Sequence, residues 1–489
     1  MEERRTGAGW FIFVLVTALI LIVAWLYTGW RSSQRVLPRG LSIGGLPIGS
    51  MTREQALAAL AAAYAAPMTV YYQDEVIILV PEMVDLSLDV ESTAVNLDEA
   101  MVTRSGMRGF LNYINVDILK RETPEQNIQP ILLYSRERLD AFLERTAQQY
   151  NHAPLDAVPL PEAGTFRAPQ PGRSLDIEAS RPILIAALLS PAQEEIHLVI
   201  KTEPALPASM AILQTALEGQ LADFTGVAGI FTKDLNTGRE LCYNCEVAFS
   251  GLSPLKAAIV LALYQQTNGT PDAQTAAQIE ALLTGGDTVA TSPLLTQIGG
   301  GDPTVGAQNT TALLKEMGLD NTFLAAPYEL TEGIESPGIV TEANARTDFD
   351  TAPDGYIQTT PLEAGLLFEA LEHCAKGGGV LRLLYPQAIT PAECEDTLNG
   401  LKRSQTPSML TAELPEGTLS AHKHGWAGAA HAEVALIYSP QSTFLVSAYL
   451  YQPEWLVGDE SAPTFAKIGN LAYRFFNTET EPSTEEATP

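Results

Sequence analysis

Apolar residues recur along the chain with three different spacings, and each spacing predicts a different kind of element. Residues 10–27, WFIFVLVTALILIVAWLY, are an uncharged apolar run long enough to cross a bilayer as one helix, with Trp and Tyr near its ends. From residue 36 to 205, helical spacing alternates with short extended runs. From residue 226 the pattern is extended, becomes mostly helical after Leu255, and is extended again from Leu419. We therefore predict a membrane helix, an α+β region and a C-terminal sheet built from both ends of one domain.

The α+β region contains an internal repeat with a period of roughly 85 residues. Thr52 precedes the helical run QALAALAAAY and Ser135 precedes RLDAFLERTAQQY, and both are residue types that favour the N-cap of a helix. The segment LSLDVES, from Leu86, is echoed by RSLDIEA, from Arg173. The pattern thus indicates one small α+β unit used twice.

These observations predict the domain organisation of the chain. The predicted segments are a cytoplasmic tail (1–9), a transmembrane anchor (10–28), a first α+β repeat (36–120), a second α+β repeat (121–205), a C-terminal domain (210–476) and a disordered acidic tail (477–489).

A cleaved signal peptide is the alternative interpretation of the apolar run. The run is long for such a segment, and TGWRSSQ after it contains no A-x-A-like cleavage site, so we expect an anchor. Arg4 and Arg5 precede the run, whereas Arg31, Arg35 and Arg39 follow it, and these basic residues alone do not select an orientation.

The charge of the chain excludes one class of partner. The formal net charge is -29 and the pI is near 4.5, so the chain repels phosphate backbones and we expect no nucleic-acid partner. The same net charge disfavours attraction to an anionic membrane surface.

The four cysteines are an even number, which suits an oxidising exterior but allows three pairings. We expect a bridge between Cys374 and Cys394. Cys242 and Cys245 form a C-x-x-C, which is compatible with a local disulfide, a redox pair or half a zinc site; no second C-x-x-C completes a four-thiolate site.

The segment Ser253-Pro254-Leu255-Lys256 carries the candidate chemistry. Ser favours the N-cap, Pro favours the first helical position, and residues three apart share one helix face. A lysine in a desolvated cleft loses proton affinity, so Lys256 can accept the Ser253 proton and activate the hydroxyl for acyl attack. The alternative is an ordinary core helix without catalysis, which begins with Ser-Pro and whose lysine extends its charged end to solvent.

A second motif, His422-Lys423-His424-Gly425-Trp426, stands at the head of a predicted strand. Together the two motifs resemble the penicillin-recognising serine hydrolases, and most closely the class A β-lactamases, whose signature combines S-x-x-K, S-D-N and K-T-G in this order. The resemblance covers most of residues 210–476. It implies an α+β domain with an antiparallel sheet and helices.

The resemblance also implies residue roles. Ser253 is acylated, Lys256 activates it, and Lys423 binds the substrate carboxylate. The backbone N–H groups of Ser253 and Trp426 form the oxyanion hole, with Gly425 permitting close approach of the backbone. This chemistry needs no cofactor. His422, His424 and His431 lack a nearby set of carboxylates or cysteines, so we expect no metal site.

Three departures from the family pattern bear on activity. Gly286-Asp287-Thr288 stands at the S-D-N position, so Asp287 is retained while the relay hydroxyl is missing, and Thr288 or a water is the candidate substitute. His424 replaces the Thr of K-T-G, which adds a titratable group among the substrate-binding residues. No E-x-x-L-N occurs, and Glu329 in YELT is the nearest candidate for the deacylation base, with a solvated loop acid as the alternative.

The stretch LPRGLSIGGLPIGSMTREQALAAL, at the start of the first repeat, resembles a repeat ascribed to peptidoglycan binding in bacterial cell-wall proteins. A pair of spacer domains is the alternative. Together these features predict a single-pass membrane protein, extracytoplasmic in bulk, that performs acyl transfer or hydrolysis on β-lactam or D-Ala-D-Ala-like substrates. The alternative is a catalytically impaired wall-binding or scaffold protein that keeps the fold.

Overall fold

The computed structural model describes residues 6–190, 195–268, 271–285, 291–330 and 336–478. The first five residues of the predicted cytoplasmic tail lie outside these ranges, as does the predicted acidic tail beyond Thr478. The chain divides into two compact units. The N-terminal unit comprises residues up to Leu155 together with Pro171–Pro204, and the C-terminal unit comprises Asp156–Gln170 together with the chain from Ala205.

The helices and strands of the described residues are numbered in chain order. The α-helices are α1 (Thr6–Ser33), α2 (Arg53–Ala65), α3 (Val90–Val102), α4 (Gly106–Tyr113), α5 (Arg136–Tyr150), α6 (Ile177–Leu189), α7 (Met210–Leu221), α8 (Lys256–Thr267), α9 (Ala273–Thr284), α10 (Ser292–Ile298), α11 (Pro303–Glu316), α12 (Pro361–Ala375), α13 (Gly379–Leu384), α14 (Pro391–Lys402) and α15 (Gly458–Phe476). The strands are β1 (Leu41–Ile43), β2 (Leu46–Pro47), β3 (Met68–Tyr72), β4 (Glu75–Leu79), β5 (Ser87–Leu88), β6 (Gln126–Ile128), β7 (Leu132–Leu133), β8 (Val158–Leu160), β9 (Thr165–Arg167), β10 (Gly172–Leu175), β11 (Ile196–His197), β12 (Ile200–Glu203), β13 (Val227–Asp234), β14 (Glu240–Tyr243), β15 (Phe249–Ser250), β16 (Phe323–Leu324), β17 (Ile357–Thr359), β18 (Leu419–Ala427), β19 (Ala430–Tyr438) and β20 (Thr443–Tyr451).

The echoed sequence segments of the N-terminal unit are helix starts. The Thr52 and Ser135 hydroxyls accept backbone N–H bonds at the first turns of α2 and α5, as their residue types predict. The aspartates of LSLDVES and RSLDIEA have the same role, since Asp89 caps α3 and Asp176 caps α6. The repeat therefore preserves the capping groups of its helices.

The two repeats do not fold as two separate sheets. Strand β1 of the first repeat pairs in parallel with β6 of the second, β3 pairs in parallel with β11, and β5 pairs with β7. One buried core joins side chains of both repeats, Leu60 and Val70 from the first with Leu143 and Leu184 from the second. Strands of two to five residues are too short to stabilise a sheet within one repeat, and pairing between repeats provides the missing partners.

The first helix, α1, contains the apolar run. Residues Trp10–Ser33 form a helix that is long and apolar enough to cross a membrane, and the side chains from Trp10 to Trp25 are exposed. The same properties occur in a signal sequence near an N-terminus.

The C-terminal unit has three layers around an antiparallel sheet with the strand order β14-β13-β20-β19-β18. One face of the sheet packs against α8 and the helices that follow it, and the other packs against α7 and α15. The predicted turns NTG and SPQS connect β13 to β14 and β19 to β20. Strands from both ends of the domain thus form one sheet with the helical middle segment on one face, which is the predicted α+β arrangement.

One segment differs from the predicted boundaries. Asp156–Gln170, predicted within the second repeat, belongs to the C-terminal unit, where β8 and β9 lie beside α7. The Gln220 amide of α7 donates to the Gly164 carbonyl at 2.7 Å, and Arg474 of α15 donates to Phe166. These packing partners lie beyond residue 205, so the repeat pattern alone could not reveal them.

The cysteines form two disulfides. Cys374 of α12 is joined to Cys394 of α14, and Cys242 of β14 is joined to Cys245, which follows that strand. The C-x-x-C is therefore a local disulfide in this structure.

Candidate active site

The candidate nucleophile lies at a strained entry into a helix. Ser253 begins a 3₁₀ turn, Ser253–Leu255, which continues into α8 at Lys256. Leu252 before it has φ 51° and ψ -165°, a conformation that L-residues with a side chain rarely adopt. The sequence predicted Ser253 as the N-cap of an α-helix; it is instead the first residue of the tighter turn. Because residues i and i+3 eclipse in a 3₁₀ helix, Ser253 and Lys256 still share one face.

Both residues are shielded from solvent. Ser253 is 4% exposed and Lys256 is 0% exposed. The ammonium nitrogen of Lys256 lies 5.5 Å from the centroid of the Tyr328 ring. Lys256 is therefore a buried lysine at the start of the helix and does not snorkel to the surface.

Two tyrosines hold the backbone that precedes the nucleophile. The Tyr328 hydroxyl donates to the Leu252 carbonyl at 2.6 Å, and the Tyr449 hydroxyl donates to the Gly251 carbonyl at 3.5 Å. Burial raises the pKa of Tyr449 well above its ordinary value, so it remains a donor. Sequence reasoning missed both tyrosines, since each is distant from Ser253 in the chain and belongs to neither motif.

The edge strand β18 approaches Ser253 through Gly425. A Cβ atom at Gly425 would lie 2.5 Å from the Ser253 nitrogen and 2.8 Å from the Leu252 Cβ. Real Cβ atoms essentially never come this close to another heavy atom. Glycine at this position therefore lets the strand contact the nucleophile's backbone directly, as predicted for close approach.

Lys423 lies on the same face of β18 as Gly425. It is 2% exposed, and its ammonium group donates to the Gly285 carbonyl at 2.6 Å. Gly285 directly precedes the predicted S-D-N counterpart in the chain. Gly286, Asp287 and Thr288 themselves lie outside the described residues.

His424 and Trp426 lie on the opposite face of β18. In the continuous register of β18 with β19, Lys423 and Gly425 pair with core residues packed toward α8, whereas His424 and Trp426 pair with Glu433 and His431. The Nε2 atoms of His424 and His431 are 2.8 Å apart, and His431 Nδ1 lies 2.6 Å from the Ser461 hydroxyl of α15. The predicted substrate-binding set is thus divided between two faces of one strand.

Trp426 retains partial access to solvent. Its side chain is 39% exposed, its indole N–H donates to the Leu456 carbonyl, and its ring meets Trp455 edge to face at 5.0 Å. These contacts hold the indole on the α15 side of the sheet. A contribution of Trp426 to an oxyanion hole would therefore come from its backbone.

The Glu329 carboxylate caps another helix. It accepts from the backbone N–H and hydroxyl of Thr291 and from the same two groups of Ser292, at the start of α10. Burial opposes its charge, but these hydrogen bonds prevail and hold the pKa of Glu329 below its ordinary value. The group predicted as a deacylation base is engaged as a helix-capping anion.

No cluster of three or more His, Cys, Asp and Glu side chains with the geometry of a metal site occurs among the residues that the structure describes. The arrangement around Ser253 offers a buried amine one turn away, a second buried amine on the adjacent strand, and a strand backbone pressed against the serine nitrogen. Such a set can deprotonate a hydroxyl, bind an anion and stabilise an oxyanion.

Comparison with family models gives one match, which lies in this unit. Residues 275–476 match the model of the Beta-lactamase enzyme family. The match includes Lys423 and Gly425 but begins after Ser253 and Lys256, so it does not extend to the last two. No curated protein matches this chain.

Solved structures of the same kind are similar to part of the chain. An ancestral class A β-lactamase is 22% identical with a TM-score of 0.40, covering 54% of this chain and 99% of its own. A PBP-A mutant, solved as an acyl-enzyme complex with penicillin G, is 18% identical with a TM-score of 0.42, covering 55% and 98%. A β-lactamase from Desulfarculus baarsii is 15% identical with a TM-score of 0.42, covering 54% and 98%.

The family match falls on the unit in which the two motifs lie together on the helix start and the edge strand of an antiparallel sheet. Residues 275–476, which lie in this α+β unit, thus match the Beta-lactamase enzyme family.

Proposed function

We propose that this protein is a membrane-anchored, extracytoplasmic serine hydrolase that forms an acyl-enzyme at Ser253. Its substrates are β-lactams or D-Ala-D-Ala-like peptides. The apolar helix α1 supports the anchor, and the substrate class, which lies outside the cytoplasmic membrane, supports the orientation. Peptidoglycan is the corresponding candidate partner of the N-terminal repeats.

The observation that carries the proposal is the complete burial of Lys256 one turn from Ser253. Burial disfavours the charged form of an amine, and a neutral amine is the form that accepts a proton. A Lys256 side chain extended to the surface would have supported an ordinary core helix without catalysis. The approach of Gly425 to the Ser253 nitrogen supports the same conclusion, because that nitrogen is the predicted oxyanion donor.

The acylation step follows from these positions. Lys256 accepts the hydroxyl proton as Ser253 Oγ bonds to the substrate carbonyl carbon, and the carbonyl oxygen becomes an oxyanion facing the backbone N–H groups of Ser253 and Trp426. Lys423 binds the substrate carboxylate. The carbon–nitrogen bond then breaks, and the proton passes to the leaving nitrogen, which gives a Ser253 ester.

Release of the acyl group requires a second proton acceptor that activates water. The Glu329 carboxylate is engaged at the start of α10, and its lowered pKa makes it a weaker base than an ordinary glutamate. We therefore expect acylation to be faster than deacylation, which corresponds to penicillin binding with little turnover.

A non-catalytic wall-binding or scaffold protein is the second candidate. It is favoured by the position of His424, which replaces the Thr of K-T-G and contacts His431 on the opposite face from Lys423. A substrate carboxylate would then have fewer donors than the family pattern provides. This candidate predicts an intact fold without acylation.

The test is the intact mass of the full-length chain in detergent after incubation with penicillin G. We expect a stable adduct of one penicillin, absent in Ser253→Ala. The matched control is Ser209→Ala, an exposed serine whose side chain makes no cap hydrogen bond. Hydrolysis without an adduct would indicate a β-lactamase with efficient deacylation. Neither adduct nor hydrolysis would favour the scaffold.

A further inference from the structure

A short amphipathic helix packs against the C-terminal end of the apolar helix α1. The half-buried residues of α1 in this region are Leu26, Gly29, Trp30 and Ser33, which follow helical spacing and form one stripe. Opposite this stripe lies α4, continued by a π-helical turn at Ile114–Ile118.

Specific contacts fix this packing. The Trp30 ring meets Phe110 edge to face at 5.5 Å, and its indole N–H donates to the Arg104 carbonyl at 3.1 Å. The Arg104 guanidinium in turn donates to the Ser33 carbonyl at 2.8 Å. A Cβ atom at Gly29 would overlap the Tyr113 hydroxyl, so the Tyr113 side chain occupies the space beside the bare backbone of Gly29. The position of α4 along α1 is therefore determined.

The other face of α4 is apolar and exposed. Met107 is 75% exposed and Leu111 is 54% exposed, and Ile114 continues the same i, i+4, i+7 stripe. Leu119, after the π-helical turn, is 56% exposed. This stripe, which we call the α4 face, consists of Met107, Leu111, Ile114 and Leu119. Among the described residues of the N-terminal unit, more than half of the surface of Met107 and of Leu111 stays exposed.

The α4 face lies at the level where a membrane would end. Trp30 follows Trp10 by twenty helical residues, which is about 30 Å along a helix axis. The hydrocarbon core of a bilayer is also about 30 Å thick. If α1 crosses a bilayer from Trp10, then Trp30 and the helix packed on it lie at the opposite interface. Tryptophan is enriched at that depth.

The charge around the α4 face differs from that of the chain as a whole. Residues 31–39 and 101–121 together contain seven basic residues and one acidic residue, whereas the whole chain carries a net charge of -29. The acidic residue, Asp117, pairs with Arg39 at 3.2 Å and with Arg104 at 3.6 Å. Arg31, Arg108 and Lys120 are exposed. Amphipathic helices flanked by basic residues bind lipid head groups in this way.

We propose that the α4 face docks on the interface of the bilayer that α1 crosses, with Met107 and Leu111 inserted among the lipid head groups. The proposal rests on the proposed membrane anchor. The occupant is the lipid surface because α4 is fixed to the end of the span and its basic surroundings complement anionic head groups. Docking restricts the N-terminal unit near the membrane and limits its rotation about α1.

The test measures the surroundings of single spin labels in the full-length chain, reconstituted in phosphatidylcholine vesicles that contain phosphatidylglycerol. All four native cysteines form disulfides, so an introduced cysteine is the single labelling site. The labelled variants are Leu111→Cys and Leu119→Cys on the α4 face and Leu19→Cys within the span. Val76→Cys is the matched control, because Val76 is an apolar residue of the same unit and is 55% exposed.

For each spin label we compare its accessibility to oxygen with its accessibility to a nickel complex. We expect the ratio of the first to the second to be several-fold higher at positions 111 and 119 than at position 76. Equal ratios at positions 111, 119 and 76, together with a high, lipid-like ratio at position 19, would show that α1 crosses the bilayer but that the α4 face does not dock on it. A water-like ratio at 19 would overturn the anchor and docking together. Dipolar broadening at 111 that disappears on dilution with unlabelled chain would mean that a second copy covers the α4 face, which also overturns the proposal.

Discussion

The two faces of β18 carry neighbouring residues of one motif into different surroundings. Lys423 and Gly425 face the helix start with Ser253, where one donates to Gly285 and the other contacts the serine backbone. His424 and Trp426 face α15, where a histidine pair and a tryptophan pair are packed. The comparison teaches that residues adjacent in a strand motif need not share a site, because successive side chains point to opposite faces.

The largest expected effect concerns the base on the Ser253 side. Replacing Lys256 by Met should lower the acylation rate by about 10²–10⁴-fold, the range found for loss of a positioned general base. The time course of the penicillin adduct measures this rate by intact mass. Lys467→Met, which removes an exposed lysine of α15, should leave the rate unchanged. Undiminished acylation of Lys256→Met would assign the base to another group.

Gly425→Ala should separate β18 from the nucleophile. The added methyl group collides with the Ser253 nitrogen, and relief by backbone movement costs about 1–3 kcal/mol and misplaces the oxyanion donor. We expect a lower melting temperature together with slower acylation. Gly458→Ala is the control, since a Cβ atom there meets nothing within 4 Å. Equal behaviour of the two variants would mean that the strand contact is unimportant.

Tyr328→Phe tests one of the two tyrosines that sequence reasoning missed. Loss of its bond to the Leu252 carbonyl should cost about 1 kcal/mol, which corresponds to roughly a fivefold change in an equilibrium constant. If this bond holds the strained entry to Ser253, the acylation rate falls several-fold with only a small change in unfolding free energy. A change in stability alone would limit Tyr328 to a packing role.

Glu329→Gln distinguishes two roles of the Glu329 carboxylate, that of a helix cap and that of a deacylation base. Because the pKa of Glu329 is lowered by folding, its contribution to stability is complete at neutral pH and is lost as the pH falls through that lowered pKa. The carboxylate is partly screened by solvent, so we expect a loss below about 1 kcal/mol at pH 7. The difference from wild type should vanish in acid. Slower release of the penicillin adduct by Glu329→Gln would show instead that the carboxylate acts as the base.

His424→Gln should have the smallest effect on acylation. The side chain faces His431 and α15, so we expect less than about a twofold change in acylation rate, within the range of a single weak contact. Thermal unfolding should report a modest loss of stability from the broken contact with His431. A large fall in affinity for penicillin, measured by the concentration dependence of acylation, would mean that the His424 side chain contacts the substrate.

The fold was predictable where the sequence carries local signals. The N-caps Thr52 and Ser135, the turns NTG and SPQS, and the order of strands and helices in the C-terminal domain follow from residue types and spacing. The exchange of strands between the two repeats was not predictable, because β1 and β3 give no local indication of partners that are more than 80 residues away. The placement of Asp156–Gln170 depends on the same kind of distant contact.

The sequence by itself determined the spacing of Ser253 and Lys256 on one helical turn, the apolar run of α1 and the order of the two motifs, because these depend on covalent neighbours and on helical or strand periodicity. Only the tertiary structure decided that Lys256 is buried, that Gly425 contacts the serine nitrogen, that Tyr328 holds the Leu252 carbonyl and that Glu329 caps α10. Burial and hydrogen-bond partners arise from segments far apart in the chain. Their free energies depend on packing, which a linear pattern does not record.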